Sequence, residues 1–103
     1  MSDAILDLHP LLSERVRLAI MALLAASKDP LGFTQLEEAL EVTRGNLSSH
    51  LKKLEDGKLV KVQKQFVDRK PLSTYECTLS GRKEIDRYLE TMERTLKKLK
   101  AEK

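Results

Sequence analysis

The chain has 103 residues, 41% of them hydrophobic and 34% charged, with a formal net charge of +3, which suits one folded domain with one modest core and excludes a second of ordinary size. Two Tyr, two Phe and no Trp leave little with which to stack single-stranded bases, so duplex nucleic acid is the better match to a basic surface. Cys77 is the sole cysteine and only His9 and His50 accompany it, which rules out a disulfide framework and any zinc-ligand spacing; no metal or cofactor is expected, and a cytoplasmic location follows.

From residue 11 to 27 the spacing of Leu12, Val16, Ile20, Leu23 and Leu24 predicts a first helix that buries one broad face. The apolar run Leu18 to Ala26 within it is too short to span a bilayer, so no membrane association is expected. Asp29-Pro30-Leu31-Gly32 breaks that helix, and Thr34 with Glu37 forms the pattern of a capping box opening a second helix over 34–41. Only Val42 and Thr43 precede the next periodic stretch, 43–56, where Leu47, Leu51 and Leu54 repeat at helical intervals and Thr43 can serve as N-cap. Asp56-Gly57 ends it. Residues 59–66 and 73–79 alternate or are β-branched enough to read as two strands of a hairpin over 59–79, with the basic stretch 67–72 as its tip. Ser80-Gly81 opens a last helix over 80–100, along which Ile85, Leu89, Met92, Leu96 and Leu99 step by four, three, four and three, a heptad seam.

Helix, helix, tight turn, helix, hairpin, helix is the layout of a winged helix-turn-helix: an α+β, mainly α fold in one domain spanning 1–103, with a two-stranded wing and a C-terminal dimerisation helix. Positive charge is concentrated where such a fold meets DNA. Between Arg44 and Lys70 stand eight basic residues against three acidic ones. With Leu47, Leu51 and Leu54 turned inward, Gly45, Asn46, Ser48, Ser49, Lys52 and Lys53 take the outward and flanking faces of the third helix. Short hydrogen-bonding side chains suit base edges: Asn46 can pair with adenine, Ser48 and Ser49 with several edges, and Arg44 with guanine or a phosphate. Gly45, beside Thr43 at the helix N-terminus, lets a backbone approach closely. The competing reading is a plain solvated helix.

His50 lies nearer the core flank, where a DNA contact and a hydrogen bond to protein backbone are equally open. On the wing, Arg69 can enter the minor groove with Asp68 orienting it and Lys70 on a phosphate, against the alternative of an ordinary charged turn. Leu8, Leu11 and Leu12, together with Ile85, Leu89, Met92, Leu96 and Leu99, supply apolar surface for a homodimer interface; the alternative is that the terminal helix only covers its own core. Cys77 shares a strand face with Tyr75 and Leu79 and reads as a small buried filler. Nothing in the scarce Gly, His and Cys assembles a nucleophile with a base or a phosphate-cradling loop, so no enzyme is expected.

The segment Val42-Thr-Arg-Gly-Asn-Leu-Ser-Ser-His-Leu-Lys-Lys-Leu-Glu-Asp-Gly-Lys-Leu-Val60 resembles the recognition segment of MarR-type and ArsR-type repressors. His9-Pro10, the stretch Val16 to Leu24, Lys70-Pro71-Leu-Ser-Thr-Tyr75 and Leu79-Ser-Gly-Arg82 extend the resemblance to most of the chain. It implies a homodimeric regulator on a pseudo-palindromic site in double-stranded DNA, paired through its terminal helices. Metal-sensing ArsR-type members carry cysteines just before or within this segment, where this chain has Glu41, Val42 and Thr43, so metal sensing is not implied. Little sequence is left over to enclose an effector, and an effector stays undefined. The rival function is a winged-helix module for protein contact, which calls for an apolar patch on the outward face of the third helix, where this chain has Asn46, Ser48, Ser49 and two lysines.

Overall fold

The computed structural model describes residues 4–101. Two 3-10 turns, Ala4–Asp7 and Pro10–Ser13, lead into α1 (Arg15–Ala26); β1 (Leu31–Gly32), α2 (Phe33–Leu40), α3 (Arg44–Asp56), β2 (Val60–Val67), β3 (Lys70–Cys77) and α4 (Leu79–Ala101) follow. The fold is the winged helix that the sequence implies, mainly helical with a small antiparallel sheet. Its core is assembled from Ile20, Met21 and Leu24 of α1, Leu36 of α2, Leu47, Leu51 and Leu54 of α3, the Leu59–Val60 entry to the wing, and Ile85 of α4, with Leu12 closing one end. Each such fully buried aliphatic side chain stabilises the fold by about 1.5–3 kcal/mol relative to exposure.

Several boundaries differ from the sequence reading, each for a local reason. The first helix starts at Arg15, not at residue 11. Pro10 opens a separate 3-10 turn, and Glu14 adopts an extended backbone from which its carboxylate accepts the Arg17 N–H at 2.9 Å, capping α1. The second helix starts at Phe33 without the Thr34–Glu37 box: Gly32 is its N-cap, and the Gln35 side chain accepts the Gly32 N–H at 2.8 Å. The sheet has three strands, not two, in the order β1-β3-β2; the short β1 pairs Leu31 with Tyr75 and Gly32 with Thr74. Two residues carry too little periodicity to announce a strand.

The wing is also tighter than its sequence suggests. β2 and β3 stay paired out to Val67 and Lys70, leaving Asp68 and Arg69 alone in the turn, both at positive φ (51° and 68°) as a type I′ hairpin demands. Pro71 therefore lies within a strand, opposite Phe66; β1 reaches only as far as Thr74 and Tyr75, so the missing N–H of Pro71 faces no neighbour.

α3 ends in a Schellman motif. The Leu59 N–H bonds the Leu54 carbonyl and the Lys58 N–H the Glu55 carbonyl, both at 3.0 Å, with Lys58 left-handed at φ 62°. Glycine stands one position earlier, at Gly57, where a Cβ would make the tip of the Leu11 side chain move aside. The Thr78 hydroxyl then starts α4, accepting the Gly81 N–H at 2.9 Å and donating to the Lys58 carbonyl at 2.7 Å. Gly81 sits so close to the Leu59 carbonyl that a Cβ would collide with it. Leu79, read from the sequence as a strand residue, is instead the first residue of α4 and 85% exposed.

Candidate nucleic-acid interface

α3 divides cleanly by face. Leu47, Leu51 and Leu54 are buried, whereas Thr43, Arg44, Gly45, Asn46, Ser48, Ser49, Lys52 and Lys53 are all exposed. The Thr43 hydroxyl accepts the Asn46 N–H at 3.1 Å, so the expected N-cap is in place and the helix start is rigid where a phosphate or base edge would approach it. A Cβ on Gly45 would meet nothing within 4 Å. The chain's own packing therefore does not require glycine there, and the gap lies on the outer side of the helix.

The charged residues of this face differ in how tightly they are held. Arg44 pairs with Glu37 of α2 at 3.2 Å, and its guanidinium lies 4.8 Å from the centroid of the Phe33 ring, a cation–π geometry. Lys52 is tied to Asp56 one turn on at 3.0 Å, and that hydrogen bond raises its pKa above the ordinary lysine value. Lys53 enters no ion pair among the described residues. Arg69 and Lys70 are exposed at the wing tip. Asp68 forms no ion pair with Arg69 among the described residues, so the orienting role expected for it has no support in the free protein.

His50 does not belong with this set. Its side chain is only 15% exposed and turns towards α1, with Nδ1 3.2 Å from Arg17 Nη1 and 3.6 Å from a Glu14 carboxylate oxygen. The partner that the free protein offers His50 is thus the Arg17 side chain on α1 and not the backbone expected of a structural histidine. Glu14, Arg17, Phe33 and Glu37, which hold His50 and Arg44, escape sequence reasoning because each acts across a gap between elements that no periodicity encodes.

The apolar residues assigned to a dimer interface also separate. Leu12 and Ile85 are 2% and 1% exposed in the protomer's own core and have no surface to offer a partner, and half-buried Leu11 is packed against the end of α3. Of the heptad residues, Leu89, Leu96 and Leu99 are each more than half exposed on α4. Beside them Leu8 and Met92 help line an open apolar groove of about 580 Å³ between the N-terminal turns, α1 and α4, to which Ile5, Leu18 and Tyr88 also contribute. Cys77 is half-buried against the core, and burial pushes its thiol pKa up, which disfavours the thiolate. Among the described residues no helix is long and apolar enough to cross a membrane, and no cluster of His, Cys, Asp and Glu could hold a metal ion.

Residues 16–96 match a family profile described as a winged helix DNA-binding domain. Among solved structures, a transcriptional regulator homologue from Pyrococcus horikoshii OT3 is 36% identical, with a TM-score of 0.79 over 86% of this chain and 87% of that one. MepR of S. aureus in complex with DNA has a TM-score of 0.73 at 21% identity, over 89% of this chain and 79% of that one. ZitR of Lactococcus lactis has a TM-score of 0.69 at 20% identity over 85% of this chain, which spans only 58% of ZitR. The last two likenesses establish the shared fold. No curated protein sequence matches the chain.

Proposed function

Since the chain belongs to the family of winged helix DNA-binding domains, we propose that it is a transcriptional regulator, acting as a repressor, that reads a specific duplex site as a homodimer. The observation that carries this reading is the outward face of α3, where eight small, polar or basic residues are exposed and no large apolar side chain is. A face built to dock a protein would expose apolar surface instead. That a protein of this fold, MepR, has been solved on DNA supports the same direction.

In this reading α3 enters the major groove. Asn46, Ser48 and Ser49 meet base edges; Thr43, Arg44, Lys52 and Lys53 meet phosphates or flanking bases. Gly45 admits the sugar-phosphate backbone to the helix N-terminus. The wing carries Arg69 to the minor groove and Lys70 to a phosphate. Two copies joined through Leu89, Leu96 and Leu99 and the groove beside them place their α3 helices about one DNA turn, roughly 34 Å, apart on a palindromic site.

The test is fluorescence anisotropy of the protein on the DNA upstream of its own gene and on a random duplex of equal length, across a salt series. Tighter, saturable binding to the upstream fragment is expected. Lys53→Ala or Arg69→Ala should then weaken binding to both duplexes and flatten the log–log salt slope by about 0.9 per lost phosphate contact, whereas Asn46→Ala or Ser49→Ala should erode only the preference between them. Equal losses on both duplexes from all four variants would remove the assignment of base readers.

A further inference from the structure

Arg17 is bonded to two separate elements of the fold. Its Nε donates to the Leu11 carbonyl at 2.8 Å, its Nη1 lies 3.2 Å from His50 Nδ1, and its own backbone N–H is bound by the Glu14 carboxylate at 2.9 Å. One guanidinium thus links the Pro10–Ser13 turn to the middle of α3. A guanidinium can only donate, so the contact is a hydrogen bond in the ring tautomer whose Nδ1 offers a lone pair and whose proton is on Nε2. Glu14, 3.6 Å from the same Nδ1, balances the charge of Arg17 without competing for that lone pair.

The same turn touches α3 a second time. Leu11, whose carbonyl receives Arg17, sets its side chain against Gly57 at the end of the helix. His50 and Gly57 are separated by about two helical turns, or about 10 Å along the axis. Two anchors on one side still allow rotation about the line that joins them; the buried Leu47, Leu51 and Leu54, about 40–100° around the helix from that line, remove it, so the three contacts together fix the roll. The magnitude matters for recognition: side-chain tips lie about 6 Å from a helix axis, so a roll of about 20° shifts them by about 2 Å. That shift exceeds the whole distance range within which a hydrogen bond to a base edge survives.

We propose that Arg17 and His50 are positioning residues that fix the roll of α3 before DNA arrives, and thereby set sequence preference without touching DNA. The inference rests on the DNA-reading function proposed above. It assigns His50, the one histidine of the recognition segment, a partner within the protein, and it separates preference from overall affinity.

The test uses the full chain with His50→Leu, which keeps bulk but removes the acceptor, and His50→Gln, whose amide oxygen restores it. His50→Leu should lower affinity for the preferred duplex about tenfold while leaving affinity and salt slope on random duplex within twofold, and His50→Gln should recover most of the loss. Arg17→Met should reproduce the His50→Leu effect, and the double variant should lose no more than either alone. Unchanged preference in His50→Leu, additive losses, or equal weakening on both duplexes would overturn the proposal, the last by making His50 a direct contact. In the free protein, ¹⁵N NMR of the neutral His50 ring should show Nδ1 as the unprotonated nitrogen, and α3 amides should exchange faster in His50→Leu than in His50→Gln. A proton on Nδ1 or equal exchange would refute the positioning role on its own. Absence of any sequence preference in the wild-type chain, with the tautomer and exchange as expected, would count against the DNA reading and leave the roll constraint standing.

Discussion

Arg69 and Lys58 both hold left-handed backbone conformations that glycine adopts more readily. The two differ in what the side chain can do there. Lys58 closes the Schellman motif after α3, a purely backbone task, so Lys58→Gly should raise stability by about 1 kcal/mol and shift the thermal midpoint upward without changing DNA affinity. Arg69 stands at the tip of the wing, where the same change should likewise stabilise the hairpin by about 1 kcal/mol yet weaken DNA binding; calorimetry and anisotropy on one sample read both signs. A loss of stability in Arg69→Gly would contradict the turn geometry. Of the residues themselves, Thr43 was legible because its partner, the Asn46 N–H, lies three positions away. His50 was not, because Arg17 lies 33 positions away and nothing local distinguishes a histidine that faces DNA from one that faces α1.

At the level of elements, α3 and the wing could be read from sequence because burial on one face leaves a period that survives in the residue order: Leu47, Leu51 and Leu54 are all buried as their spacing requires. The start of α1 could not, because Leu11 and Leu12 continue the apolar pattern upstream while Pro10 and the extended Glu14 divert the chain into a separate turn. Glu14 makes that boundary testable. The hydrogen bond from the Arg17 N–H lowers its pKa below the ordinary value of 4.5, so the stabilisation is present in full above that value and is lost as pH falls through the depressed one. Glu14→Ala should therefore be less stable than wild type by about 1 kcal/mol at neutral pH, with the gap between their thermal midpoints closing in acid. A gap independent of pH would mean that the carboxylate is not the cap.

The whole molecule is elongated, 58 × 24 × 24 Å with a radius of gyration of 15.6 Å, against about 13 Å for a compact chain of 100 residues. Much of the excess is α4, which at 23 residues is about 34 Å long and carries Leu96 and Leu99 more than half exposed. Leu89→Glu combined with Leu96→Glu should leave the circular dichroism spectrum intact and reduce the sedimenting species to a monomer; an unchanged dimer would place the interface elsewhere. The heptad spacing was legible in the sequence, but not which of its members are spent inside the protomer, since a heptad reads the same whether a position such as Ile85 meets its own core or a neighbour. The joint at the foot of α4, where Gly81 abuts the Leu59 carbonyl and Thr78 grips Lys58, has no slack between it and the end of α3. In a two-fold pair that joint makes α4 a lever. With each reading head about 17 Å from the axis, half the spacing of one DNA turn, a 10° change in how the levers cross moves each head by about 3 Å. That is close to the 3.4 Å rise of one base pair, so an adjustment too small to alter the core of either protomer would be enough to take the pair out of step with its site.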